Sequence, residues 1–444
     1  MTKPRYPHPG CAAWSQVYGE AAAWSSASAW FVNFNNGNVN NNHRNNNGFA
    51  LAVRRAGEFQ GAPGLQDLYH AWRRARRQKV PSFNQLRFDA DWITHLLQLE
   101  QEITAGTWSP RPSTCFVATR PKAREIHAPD FADRVVHHWL VPQLEAIWEP
   151  TFIHDSYANR RGKGSHAAVR RAQAFARQVH SGQGGGWYLQ LDVANFFNRI
   201  HRPTLWRMLK ARLRRVGASA AVLQVTHALL RQAPGTAGVR VRATPAELAL
   251  VPTHKRLANA PAGRGLPIGN LSSQFFANVY LDALDQFVKH ELRAKRYLRY
   301  VDDFVLFHHD RAQLQAWQSR IEQFLQERLG LQLKADIRLR RLTDGLDFLG
   351  YVIYPTHMLA RQRVVGHLRA ALSEWEGRHF RGGSMRAQPD DLSQLRARIA
   401  SFDGHLRHAN ARRLRRAVVT RFPWLPAALR RNRSIIYSRR TSRA

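Results

Sequence analysis

Tyr297-Leu298-Arg299-Tyr300-Val301-Asp302-Asp303-Phe304-Val305-Leu306-Phe307-His308 sets two adjacent acids between apolar runs. The run Leu298–Phe307 reads as strand interrupted by the acid pair. Adjacent carboxylates in such surroundings repel each other and lose hydration unless positive charge sits between them. Two readings stand on spacing alone: a tight hairpin whose Asp pair faces water, or part of a cation site. Leu189-Gln190-Leu191-Asp192-Val193 places a third acid at the end of another alternating strand, Trp187–Val193. Were the two strands neighbours, Asp192, Asp302 and Asp303 would converge as hard oxygen ligands suited to Mg²⁺. Two such ions about 3.5–4 Å apart support in-line phosphoryl transfer, because they stabilise both the attacking and the leaving oxygen.

The acids stand out because the chain is so basic. Its 444 residues carry 67 Lys and Arg against 31 Asp and Glu, a formal net charge of +36, which points to a polyanionic partner, nucleic acid first. Hydrophobic residues make up 44% and aromatics 10%, enough for a sizeable core and against wholesale disorder. The two cysteines, Cys11 and Cys115, give no disulfide framework and cannot make a zinc site by themselves. No apolar run approaches the roughly 20 residues of a membrane span. The N-terminal MTKPRYPHPG lacks an apolar signal core. A soluble, cytoplasmic protein with no membrane partner is expected.

Composition divides the chain. Residues 1–57 are rich in Ala, Ser and Trp and then in Asn, with ten Asn among the fifteen positions Asn33–Asn47. Asn side chains compete for backbone hydrogen bonds, so this tract resists helix and strand and reads as a disordered arm. Residues 58–355 read as globular. Helical spacing is visible in Asp91–Gln101 and Asp133–Trp148, with Pro142 a candidate bend in the second. Ala233–Gly265 reads as a long loop or insertion. From Pro355 onward the chain is helical and basic, and Arg430–Ala444 includes six arginines and ends without an obvious core pattern.

Tyr300-Val301-Asp302-Asp303, with Asp192 a hundred-odd residues earlier in the context DVANFF, resembles motifs C and A of reverse transcriptases. Further blocks follow in the family's order. Asp133-Arg134-Val135-Val136 and Phe152–Val169 (FIHDSYANRRGKGSHAAV) resemble the fingers blocks of the group II intron branch. Gly265–Gln274 (GLPIGNLSSQ) resembles motif B, Gly330–Lys334 (GLQLK) motif D and Asp347–Tyr351 (DFLGY) motif E. The resemblance implies an α+β right-hand polymerase: fingers over 58–185, palm over 186–355 with part of the fingers and the insertion near 233–265, a helical thumb over 356–430 and a basic tail over 431–444. It also implies RNA-directed DNA polymerase activity on template RNA, primer and RNA–DNA hybrid with dNTPs, using two Mg²⁺ ions, with Mn²⁺ as a substitute.

Within motif B, Ile268 stands where many reverse transcriptases have Gln, and the block ends in Ser273-Gln274 rather than Ser-Pro. The form IGNxxSQ resembles the reverse transcriptases of diversity-generating retroelements, which are bacterial or phage-encoded. These copy a template-repeat RNA while misincorporating opposite adenines, and often work with a small basic accessory variability protein. An apolar Ile268 near the incoming nucleotide removes a hydrogen-bonding side chain, a route to looser base discrimination. The Asn-rich segment then gains a second reading. Phe31–Val39 and Gly48–Arg54 resemble the end of a variable protein, so residues 1–57 read as translated template repeat, dense in AAY codons. The alternative within the same chemistry is a defence-associated or group II intron-like reverse transcriptase without adenine-directed mutagenesis. A dead polymerase scaffold that merely binds RNA is a third reading, opposed by the presence of all three acids.

The resemblance assigns Asp192, Asp302 and Asp303 to the catalytic metal site, with the Val193 carbonyl as a further ligand. Phe197 stands where the family has a steric gate against the ribose 2′-hydroxyl. Lys122 and Arg124 fall where fingers residues clamp the triphosphate, and Ile268 and Gly269 contact the nucleotide. Lys334 matches the motif D lysine that protonates pyrophosphate. His137-His138 and His308-His309 lack a third ligand at useful spacing and read as structural or exposed. No second acidic cluster or Cys/His block suggests an attached nuclease, so a polymerase alone is expected.

Overall fold

The apolar stretches that carry Asp192 and Asp303 become neighbouring strands of one sheet. The computed structural model describes residues 29–33, 38–42, 61–77, 80–119, 122–183, 185–232, 238–381, 384–430 and 435–438. Strands β1 (Ala29–Asn33) and β2 (Asn38–Asn42) pair antiparallel, with Val32 opposite Val39. The Asn tract therefore does supply a strand, because Trp30, Phe31 and Val32 give it a β-favouring partner. The rest of residues 1–57 lies outside the described residues.

The helices Leu65–Arg76, Phe83–Ala90 and Trp92–Thr104 pack with the helix Phe131–Trp148 in the larger core, where Leu68, Leu96, Val136 and Leu140 are buried. The helix Phe131–Trp148 starts on the Asp130 side chain, which accepts from the Ala132 amide at 3.0 Å. It runs on through Pro142 instead of ending there. Proline cannot donate to the carbonyl four residues back. That carbonyl, of His138, instead accepts from the Arg74 guanidinium at 3.0 Å.

β3 (Ser113–Ala118) and β4 (Arg124–Ala128) form an antiparallel hairpin. The central sheet has order β7-β8-β5-β9, all antiparallel, from β5 (Trp187–Asp192), β7 (Tyr297–Tyr300), β8 (Asp303–His308) and β9 (Arg338–Arg341). Alternation assigns its faces. Leu189, Leu191, Phe304 and Leu306 enter the larger core with Phe276, Tyr280 and Ile321. Tyr188, Leu298, Val305 and Phe307 enter a second core with Val169 and Phe175 of the helix Ser165–Gln183. Burial on both faces explains why β8 reads as a near-continuous apolar run after Asp303.

The segment read as an open insertion holds more order than expected. β6 (Val239–Val241) lies parallel to β3, and the helix Pro245–Ala249 is closed by a Thr244–Glu247 capping box. β10 (Leu346–Phe348), β11 (Tyr351–Ile353) and β12 (Met358–Ala360) form a small antiparallel sheet. The helices Gln362–His379, Pro389–Leu406, Arg412–Arg421 and Leu425–Arg430 follow, with a core of their own around Leu372, Trp375, Leu392 and Trp424. β13 (Phe380–Arg381), β14 (Ser384–Ala387) and β15 (Ile435–Ser438) form another small sheet. The basic tail thus contributes Ile435-Ile436-Tyr437-Ser438 as a strand. Among the described residues no helix is long and apolar enough to cross a membrane.

Candidate active site

The sheet register places the three acids. Asp192, the last residue of β5, lies directly opposite Asp303, the first of β8. Asp302 occupies the turn between β7 and β8, and its carbonyl accepts from the Val193 amide at 3.2 Å. The segment Gln332–Lys334 runs alongside: Ala194 donates to Gln332 at 2.8 Å and Lys334 to the Asp192 carbonyl at 2.8 Å. The Lys334 ammonium pairs with Asp192 Oδ2. Among the described residues, no backbone amide donates to the Val193 carbonyl. The acid pair sits in the tight turn between β7 and β8, with Asp192 on the strand beside it.

Their electrostatics are unfavourable as they stand. Burial, and then the neighbouring Asp192, push the Asp302 carboxyl up to about 6, against the opposing pull of Lys334 and Arg124. Burial pushes Asp303 up to about 8; Gln190 opposes this, while Asp192 and Asp302 add to it. Asp192 Oδ1 is buried and has no hydrogen-bond partner. A bare carboxylate oxygen beside two more carboxylates, at a point reached by one lysine, fits a hard divalent cation. Asp192, Asp302, Asp303 and the Val193 carbonyl could hold it.

Residues beyond the acids hold the turn in shape. Val301 adopts φ 56°, a left-handed conformation unusual for a β-branched residue. Its carbonyl accepts from Arg299 Nη1 at 2.8 Å. The Arg299 guanidinium is fully buried and bound to Asp285 at 2.6 Å, both side chains being 0% exposed. Asn278 Oδ1 and Ser156 Oγ accept its remaining hydrogens at 3.3 and 3.2 Å. Gln190 Nε2 donates to Asp303 Oδ1 at 3.2 Å and to the Asp347 carbonyl at 3.2 Å, linking the acid to β10. Sequence reasoning missed Arg299, Asp285 and Gln190. The available signal was polar residues set in apolar runs, the same signal that exposed the acids.

The other expected site residues fall on the β3–β4 hairpin, on the short helix Phe196–Arg199 after β5 and on the turn before the helix Leu271–Gln286. Lys122 and Arg124 lie exposed at the loop end of the β3–β4 hairpin, and Arg124 is near enough to act on Asp302. Phe197 is half-buried, edge-on to Phe196 with ring centroids 5.5 Å apart, and its carbonyl accepts from Leu266 at 2.9 Å. The Ile268 carbonyl accepts from the His127 amide at 2.8 Å, so the GLPIGN turn is strung between Phe197 and β4. Gly269 has φ 122°, and a Cβ there would meet the His127 carbonyl at 2.9 Å. The close approach it permits in this structure is to β4. His137 is buried, which pushes its imidazole down to about 3, and the rings of His308 and His309 stack at 4.2 Å.

The chain is 23% identical over 319 residues to protein YkfC of Escherichia coli K12, covering 64% of this chain and 76% of the relative. It is 24% identical over 191 residues to the group II intron-encoded protein LtrA of Lactococcus lactis subsp. cremoris, covering 42% of this chain and 27% of LtrA. Among solved structures, telomerase from Candida albicans in complex with a telomeric RNA fragment aligns with a TM-score of 0.40 at 12% identity, over 60% of this chain and 50% of that one. The chain therefore spans about a quarter of LtrA and half of that telomerase. The family model described as reverse transcriptase (RNA-dependent DNA polymerase) matches residues 117–353, more than half of the chain and the span holding all three acids, and the chain belongs to that family.

Proposed function

We propose that this reverse transcriptase copies a template-repeat RNA into cDNA with errors directed at template adenines, by two-metal nucleotidyl transfer. The observation that carries the reading is Ile268, an apolar residue in the motif B turn where a polar one is usual, within a block that ends Ser273-Gln274. The turn is held by its backbone, through the Ile268 carbonyl and His127, so the side chain is not needed to fix its shape. Selection near the nascent pair then rests on shape and packing with one polar contact fewer.

Two divalent cations bound by Asp192, Asp302, Asp303 and the Val193 carbonyl would activate the primer 3′-hydroxyl and neutralise the triphosphate. The chain's own residues do the rest. Lys122 and Arg124 bind the triphosphate from the β3–β4 hairpin. Phe197 closes the sugar pocket against a 2′-hydroxyl. Lys334, paired with Asp192, gives a proton to the departing pyrophosphate. Arg413, Arg416 and Arg421 line a basic groove on one C-terminal helix, suited to the phosphates of an RNA–DNA hybrid.

The test is sequencing of cDNA made on the native template by wild type and Ile268→Gln, with a small basic accessory protein supplied. Errors concentrated at template adenines, reduced more at adenine than elsewhere by the variant, are expected. Equal error rates at all four template bases in wild type would sink the diversity-generating reading and leave the polymerase intact. The similarity to LtrA over 191 residues favours a second reading, a group II intron-like enzyme without adenine-directed errors, and that outcome would select it.

A further inference from the structure

The β3–β4 hairpin carries a second cluster that the polymerase reaction does not use. Cys115 lies directly across the hairpin from His127, with Glu125 two residues before His127 on the same face. All three are buried, and their ligand atoms lie within 4.8 Å of one another. Glu125 Oε1 is 3.6 Å from Cys115 Sγ and 3.6 Å from His127 Nε2. With zinc–ligand bonds of about 2.0–2.3 Å, neighbouring ligands of a tetrahedral site stand about 3.5 Å apart. Those two edges already have that length.

Neither ring nitrogen of His127 has a hydrogen-bond partner, although the residue is 2% exposed. A buried imidazole with neither nitrogen hydrogen-bonded is costly. We propose that Cys115, Glu125 and His127 form a zinc site in the fingers hairpin, separate from the catalytic acids. The donor set of one sulfur, one nitrogen and one oxygen suits Zn²⁺ rather than Mg²⁺, which prefers oxygen alone. On loading, the thiol proton passes to solvent, and a thiolate and a carboxylate then neutralise the dication. Three protein ligands leave the fourth position to water.

The site's surroundings indicate what the ion does. The Leu257 amide donates to Glu125 Oε2 at 2.5 Å, and Arg242 donates to the Cys115 carbonyl at 2.8 Å, so the segment after β6 is fastened to this hairpin. The His127 amide holds the Ile268 carbonyl at 2.8 Å. A bound ion clamps three elements around the turn that carries Ile268 and at the base of the loop that carries Lys122. It acts through position and takes no part in nucleotidyl transfer.

The experiment uses the full chain, stripped with chelator and titrated with Zn²⁺ or Co²⁺. Wild type should retain about one zinc per chain, melt at a higher temperature when loaded, and give a sulfur-to-cobalt charge-transfer band with Co²⁺. Cys115→Ser should lose the band, His127→Gln should weaken zinc binding at least about tenfold as a lost ligand would, and Cys11→Ser should change neither. The cobalt spectrum of wild type alone decides the matter if the variants fold poorly. No band in wild type, or a band lost with Cys11→Ser and kept with Cys115→Ser, overturns the proposal.

Discussion

Asp285→Ala strands a charge in the core beside the catalytic turn. Arg299 and Asp285 are each 0% exposed and bound at 2.6 Å, and Asp285 Oδ1 also accepts from the Tyr297 hydroxyl at 2.6 Å. Removing one member of a buried ion pair costs about 3–5 kcal/mol, because the other is left uncompensated. The orphaned Tyr297 hydroxyl adds about 1 kcal/mol. A loss of about 4–6 kcal/mol is expected, read as a lower urea midpoint at unchanged slope. The double variant Asp285→Leu/Arg299→Met removes both charges and should recover most of that loss, since apolar replacement of a buried pair is often near neutral. It does not restore the bond from Arg299 Nη1 to the Val301 carbonyl. Val301 at φ 56° is held against a strain of about 1–3 kcal/mol and should relax, moving Asp302 and Asp303. A shift of about 1 Å costs about 100-fold in rate. Primer extension on an RNA template by the double variant should therefore fall by about that factor while stability returns. A stable double variant with wild-type extension would refute the claim that Arg299 positions the turn.

Lys334→Met should lower the extension rate by about 10²-fold with little change in apparent dNTP affinity, and Lys334→Arg should recover part of it, as measured by single-turnover kinetics. Gly269→Ala forces a Cβ to within 2.9 Å of the His127 carbonyl at φ 122° and should cost about 1–3 kcal/mol, visible as a lower melting temperature. Burial, and then Glu149, push the Glu145 carboxyl up to about 7. Its folded value lies above the unfolded one, so its stabilising protonation is complete below about pH 4.3 and is lost as pH rises through 7. Glu145→Gln should therefore stabilise the protein by about 1–3 kcal/mol at pH 8 and by little at pH 4, measured by melting at the two values.

The acids were legible because a carboxylate between Val301 and Phe304, or after Leu191, contradicts the apolar pattern on both sides of it. The sheet faces followed from the same alternation. What pairs across the sheet was not legible: nothing local says that Lys334 reaches Asp192 or that Gln190 reaches Asp303, contacts separated by 142 and 113 residues. Cys115, Glu125 and His127 likewise meet only through the β3–β4 register. The helix through Pro142 followed from its apolar spacing, but the group that serves the freed carbonyl did not, because Arg74 lies 64 residues from it. The strand Ile435–Ser438 was hidden by the arginines on either side, although Ile435-Ile436-Tyr437 favours a strand by side-chain type.

Extension of a DNA primer on an RNA template with Mg²⁺, compared between wild type, Asp302→Ala and Asp303→Ala, tests the central claim most directly. Both variants remove a carboxylate that burial, and then the neighbouring acids, push above the ordinary range, so both should fold with undiminished melting temperature. Extension should fall to background in each. Full extension by either well-folded variant would contradict the assignment of these carboxylates to the reaction.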